Sequence, residues 1–310
     1  MNNLKFRNGL ILLFTFAVIT TSSCNRKRIE NKETPKVEEK YLEKITKQFL
    51  NFSPRLPGTE LSKQSVDFLA TELSQYDVTS VERQTFNKPT PLGATKFTNL
   101  IVDITGETKE YIIIGAHYDT KYLPHIKKFY GANDGGSGVA ALMSIIKTIK
   151  ESKEKPYYSL KFIFFDGEEC YESYTDNDGL CGSKYLAQDL KSKGKLDSCK
   201  GMILLDMIGD KDLMLSIPQN TDEQLRALAH KGAKTLSMEG NIKNYNKGVL
   251  DDFVPFQKLG VKCIDLIDFE FGPNNVFWHT SEDTIDKLDY TNMKKVADLT
   301  LYMIYNFDNI

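Results

Sequence analysis

The sequence predicts an α/β fold, a single α/β/α sandwich domain with a central, mostly parallel mixed sheet. Three observations carry that expectation. Apolar strands, EYIIIGAHYD, YSLKFIFFDGEE, KGMILLDMIGD and GVKCIDLID, alternate with helical stretches along the chain. Each strand is apolar on both faces, the pattern of a sheet covered by helices on either side. The 310 residues, 41% apolar and 26% charged, have the composition of an ordinary globular chain.

The N-terminus stands apart from this pattern. MNNLKFRNG supplies Lys5 and Arg7, LILLFTFAVI is apolar but too short to span a bilayer comfortably, and TTSSC follows. Residues 1–24 therefore read as an export signal, and the protein is expected in a bacterial periplasm or cell envelope. The small residues before Cys24 resemble the lipobox of bacterial lipoproteins, where the cysteine is lipidated after cleavage; Thr21 departs from the usual Leu. A plain secretory signal cleaved nearby is the alternative. Such a lipid anchor is the only membrane contact expected. Residues 25–40, NRKRIENKETPKVEEK, are charged and too poor in apolar side chains to build a core, so they read as a tether. The folded α/β/α domain is expected over 41–310.

Two amphipathic helices open it, VEEKYLEKITKQFLNF and LSKQSVDFLATELSQY, separated by the turn SPRLPGTE. The segments SVERQTF and KFTNLIVDITG are rich in β-formers and precede the alternating region. Its helices are expected at SGVAALMSIIKTIKES, SKYLAQDLKSK, DEQLRALAHKGAKTL and TNMKKVADLTLYMIYN. A net charge of −2 argues against a nucleic-acid partner, which normally requires a surplus of Lys and Arg. Cys170, Cys181, Cys199 and Cys263 follow no zinc-ribbon spacing and are expected as buried thiols, with at most one disulfide.

Ligands in such sheets sit beyond the carboxyl ends of the strands. Those ends carry His117 and Asp119, then Asp166, Glu168 and Glu169, then Asp206 and Asp210. His117 and Asp119 are two apart and face the same way on an extended backbone, so the carboxylate can accept the imidazole N–H and fix its tautomer. Asp134 lies in GANDGGSGVAAL, a glycine-rich loop opening a helix: a metal carboxylate, or an ordinary helix cap. No Lys-Ser/Thr pair is present to make it a phosphate loop. Adjacent Glu168 and Glu169 cannot easily reach one ion, so one is free to act as acid and base. The donors His117, Asp134, Glu169, Asp206 and His279 are imidazoles and carboxylates without thiolate, a set that suits catalytic zinc. His125 and His230 are expected to face solvent. Trp278 is the sole tryptophan and precedes His279, as core or as a pocket wall.

The order H-x-D, NDGGSG, Glu-Glu, Asp and His resembles the co-catalytic zinc exopeptidases of the M28 type, over nearly all of the chain after the tether. That resemblance implies a phosphorylase/hydrolase-like fold, with His117 and Asp206 on one zinc, Glu169 and His279 on the other, Asp134 bridging and Glu168 as base. PRLPGT, IFFDGEE with CGSKYLA, LLDMIG, DDFVPF and FWHTSEDT are similar, in order, to segments of the animal-type glutaminyl-peptide cyclotransferases within that superfamily. This closer resemblance implies one zinc held by Asp134, Glu169 and His279, with Glu168 shuttling protons and Asp251 and Asp206 in its hydrogen-bond network. His117, Asp119 and Asp206 then stand as second-metal or supporting residues. Trp278 would wall the pocket. Tyr174 stands where the animal enzymes carry a second pocket tryptophan, and Phe253 replaces the histidine of their DDH motif.

Two activities follow. A cyclase would convert N-terminal glutamine of peptides or proteins to pyroglutamate and release ammonia, using one zinc. A dizinc aminopeptidase would hydrolyse N-terminal residues, its second zinc supplying a hydroxide. Asp251 beside Glu168 and Asp206 would crowd carboxylates and favour a shared proton, which points to the single metal and the cyclase. A noncatalytic surface lipoprotein is disfavoured, because no ligand or base position is lost.

Overall fold

The computed structural model describes residues 34–309. The export signal, Cys24 and the first part of the tether lie outside them. Val37, in the stretch read as tether, is 2% exposed and its N–H donates to Asp298 Oδ1 at 2.8 Å. The core therefore begins before residue 41; one valine with a buried partner suffices to pin an otherwise charged strip.

α1 (Glu39–Phe49) buries Leu42, Ile45 and Phe49 at helical spacing, and α2 (Glu60–Leu73) is capped by Thr59, whose hydroxyl accepts from the Ser62 N–H. β1 (Ser80–Thr90) and β2 (Gly93–Ile104) form a long antiparallel hairpin that turns at residues 91–92. β1 lies at the sheet edge, where Pro89 costs no ladder bond needed by a further strand.

The alternating part follows as β3 (Tyr111–His117), α3 (Ser137–Glu151), β4 (Ser159–Phe165), α4 (Cys181–Ser192), β5 (Cys199–Asp206), β6 (Leu215–Ile217), α5 (Glu223–Thr235), β7 (Ile242–Asn244), α6 (Val254–Gln257), β8 (Cys263–Ile267) and α7 (Tyr290–Asn306). Among the described residues the main sheet runs β1-β2-β4-β3-β5-β8. β2 pairs antiparallel with β4, whereas β4, β3, β5 and β8 are mutually parallel neighbours. The predicted mostly parallel mixed sheet is thus present. The small parallel pair β6-β7 and the one-turn α6 were not anticipated, being too short to leave a periodic signal.

The pleat of β3 shows how both faces are covered. Ile112 and Ile114 pack into a core shared with α1, α2, α3, α5 and α7, while Ile113 joins Phe165, Leu186, Leu204 and Phe256 on the side of α4 and α6. Burial on two sides is why the six residues of β3 before His117 could all be apolar or small. No helix of the described residues is long and apolar enough to cross a membrane.

Candidate active site

β3 delivers His117, and the chain then returns through the loop that ends at α3. In that loop Gly135 has φ +79°, and a Cβ there would lie 2.4 Å from the Asp119 carbonyl oxygen. Only glycine lets the Asp134 loop settle over β3. The Asp283 carboxylate fixes the same loop, accepting the N–H groups of Asn133 at 2.7 Å and Asp134 at 3.2 Å. Arg55 is fully buried beneath it and donates to the Tyr118, Tyr130 and Gly131 carbonyls.

Held this way, Asp134 presents its two oxygens to two histidines. Oδ1 is 3.1 Å from His117 Nε2 and Oδ2 is 3.1 Å from His279 Nε2. His117 Nε2 also lies 3.3 Å from Asp206 Oδ1, and His279 Nε2 lies 2.9 Å from Glu169 Oε1. The ligand atoms of His117, Asp134 and Asp206 gather within 4.8 Å of one another, as do those of Asp134, Glu169 and His279. Both sets implied by the sequence are therefore assembled, sharing Asp134.

The twin glutamates diverge for a local reason. β4 ends at Phe165 and the chain bends at Gly167, φ +70°, where a Cβ would strike the Phe97 ring. Asp119 then receives the N–H of Glu168 on Oδ1 at 3.1 Å and that of Glu169 on Oδ2 at 3.2 Å. Glu169 turns to His279, while Glu168 accepts the Tyr174 hydroxyl on Oε1 at 3.0 Å. The expected Asp119–imidazole bond is a longer contact, 3.5 Å from His117 Nδ1, because the carboxylate already serves two backbone amides.

Other expectations sort as follows. Asp166 accepts the Thr98 N–H and Asp210 accepts the Gly272 N–H, so these two strand-end acids are structural. Trp278 is half-buried and stacks on the His279 ring, with centroids 4.1 Å apart. His125 is exposed, but His230 is half-buried and bonds to Asn244 rather than to solvent alone. All four cysteines of the described residues are free thiols, Cys199 the least buried.

Electrostatics divide the site into two halves. On the histidine side, burial alone would lower His117 and His279. It is outweighed for His117 by Asp119, Asp134 and Asp206, which raise it well above its usual value, and for His279 by Asp134 and Glu169, which raise it to about 10. Both histidines hold Asp134 ionised against its burial. On the other side acids crowd one another. Glu168 is pushed well up by burial, Glu169 and Asp251; Asp251 by burial, Asp265 and Asp206; and Asp252 to about 7, mainly by burial. Asp265 on β8 joins this cluster and is itself pushed well up, by burial first and then by Asp206 and Asp252. The sequence reading missed Asp265, Asp283 and Arg55; the one available signal for Asp265 was a carboxylate between Ile264 and Leu266 in an otherwise apolar strand.

Similarity to known proteins agrees with this geometry. The model of peptidase family M28 matches residues 99–304. The chain belongs to peptidase family M28. Among its relatives within and around that family is the glutaminyl-peptide cyclotransferase of Drosophila melanogaster, 27% identical over 268 residues, covering 79% of this chain and 74% of the relative. A solved glutaminyl cyclase from an Acidobacteriales bacterium is 30% identical with a TM-score of 0.83, covering 90% of this chain and 97% of that one. A leucine aminopeptidase precursor from Bacteroides thetaiotaomicron is 25% identical with a TM-score of 0.79, covering 88% and 99%. The α/β/α sandwich expected from the strand pattern, of the zinc-exopeptidase type that the resemblance implied, is thus the fold of this chain.

Proposed function

We propose that the protein is a zinc-dependent glutaminyl-peptide cyclotransferase, converting N-terminal glutamine of exported peptides and proteins to pyroglutamate with release of ammonia. The observation that carries this reading is the separation of the two glutamates: Glu169 faces His279 and Asp134, whereas Glu168 faces a cluster of acids that raises its proton affinity. Similarity to cyclotransferases over most of the chain supports the same choice.

The donors fit zinc. They are imidazole nitrogens and carboxylates, and Asp134 Oδ2 lies near His279 Nε2 without hydrogen-bond geometry, as donors aimed at a common point would. Asp134, Glu169 and His279 would hold one ion, which when bound supplies a Lewis acid for the substrate amide oxygen. The remaining steps belong to the chain. Glu168 takes a proton from the free N-terminal amine as that nitrogen bonds to the side-chain amide carbon. It returns the proton to the departing nitrogen, so the C–N bond breaks to ammonia and the five-membered lactam remains. Trp278 and Tyr174 would wall the pocket and keep the glutamine side chain folded for attack on itself. Asp251 and Asp206 share the proton-holding network, with His117 and Asp119 supporting it.

The intact His117–Asp134–Asp206 set favours a second reading, a dizinc aminopeptidase. One experiment separates them. Purified protein is given a Gln-initiated dipeptide and a leucine anilide, and zinc is measured on the same sample. Ammonia release with one zinc supports the cyclase; two zincs with anilide hydrolysis support the peptidase. Fully metallated protein that releases no ammonia would falsify the cyclase reading. Export by residues 1–24 and a lipid on Cys24 complete the proposal, placing the enzyme in the cell envelope; mass spectrometry of the mature N-terminus tests them.

A further inference from the structure

Tyr174 does more than line the pocket, and its surroundings show why. It sits in the loop between β4 and α4, which folds back on itself around Asp178. That buried carboxylate accepts three successive backbone N–H groups, those of Tyr171 at 2.7 Å, Glu172 at 2.9 Å and Ser173 at 3.0 Å. A loop so tied has little freedom to swing its next residue. Gly179, φ +72°, lies under the Tyr174 ring, and a Cβ there would come within 2.4 Å of the ring carbon Cδ1. The ring therefore lies flat on bare backbone. One edge of the side chain faces solvent, 40% exposed, while the hydroxyl reaches Glu168 Oε1 at 3.0 Å.

We propose that Tyr174 is a positioning residue for Glu168: its hydroxyl occupies Oε1 throughout the reaction, so that the proton is taken and returned at Oε2 alone. This rests on the cyclase reading and specifies how its base is aimed. The chemistry is consistent in both states of the acid. When Glu168 is ionised, Oε1 accepts a charge-assisted bond from the phenol. When the amine proton has moved to Oε2, Oε1 becomes the carbonyl oxygen of the acid and still accepts the same bond. No bond is broken between the two proton transfers, and the carboxyl group is kept from rotating onto the zinc ligands. Burial and the neighbouring acids push the phenol up, so it remains a donor across the working range. A ring acting only as an apolar wall has no use for its oxygen.

The test separates hydroxyl from ring. Tyr174→Phe keeps the wall and removes the donor; Gly179→Ala keeps the donor and displaces the ring. With a Gln-Gly dipeptide, Tyr174→Phe is expected to lose fivefold or more in kcat while KM stays within twofold, zinc content and melting temperature being unchanged; Gly179→Ala, which moves ring and hydroxyl together, is expected to lose as much in kcat and to raise KM. Tyr174→Leu, which removes wall and donor together, is expected to raise KM as well. A smaller loss in kcat for Tyr174→Phe, or a loss carried by KM, overturns the inference while leaving the cyclase reading in place. Wild-type protein that releases no ammonia from Gln-Gly overturns both.

Discussion

The Asp119 carboxylate accepts the Glu168 backbone N–H at 3.1 Å, and with its other oxygen it takes the amide that follows. Asp119 is wholly buried, so both amides depend on it. Asp119→Ala strands two buried donors, each costing about 1–3 kcal/mol. Urea denaturation should show a fall in that range or above, and zinc affinity should drop with it, because the turn that aims Glu169 is released. Asp119→Asn, with one acceptor oxygen, should fall between.

Glu168→Gln should abolish turnover while zinc stays bound, since the amide keeps the shape but cannot carry the proton. Glu169→Gln should lose metal, as one of three donors around the site is neutralised. Metal content and ammonia release on both variants check the assignment; the reverse outcome would exchange the two roles.

Removal of metal should also lower stability. Asp134 and Glu169 are buried carboxylates brought close together, and Asp134 raises the proton affinity of Glu169 beyond what burial does. A cation binding only the folded state stabilises it by about 2.7 kcal/mol at a hundredfold excess over Kd. Chelation should therefore shift the thermal midpoint down, and added zinc should restore it.

The metal-free protein should be most stable on the acid side. Asp252 is raised from the ordinary carboxylate range to about 7, and Asp251 and Asp265 are raised well above it. Raised acids bind more protons folded than unfolded, so their contribution is complete below the unfolded pKa near 4 and is lost as pH rises through the folded values. Melting temperature should fall between pH 4 and pH 7, and Asp252→Asn should flatten that fall. A rise over the same window would contradict the assignment.

Much of this protein is legible in its sequence for a local reason. Strands buried on both faces must be apolar throughout and helices on a sheet must carry a stripe, so the order of β3, α3, β4, α4, β5, α5, β8 and α7 can be read from residue types alone. His117, Asp134, Glu169, Asp206 and His279 could be picked out because charged groups at apolar strand ends and in glycine loops are hard to explain as solvated surface. The hairpin turn at residues 91–92, the β6-β7 pair and the burial of Val37 leave no such period.

Tertiary structure alone decided how those residues are used. Asp119 is two positions from His117, and sequence spacing assigned it to the imidazole; the fold brings the Gly167 turn against it and gives its oxygens to two amides. Asp265 reads as one acid in a buried strand until β8 lies beside β5 and places it in the cluster with Asp251. Tyr174 reads as a substituted pocket wall until Asp178 and Gly179 set its hydroxyl on Glu168. Residue type and local period determine which groups are buried and which strands carry them. Which buried donor meets which acceptor depends on atoms distant in sequence, and packing brings those together only in the folded chain.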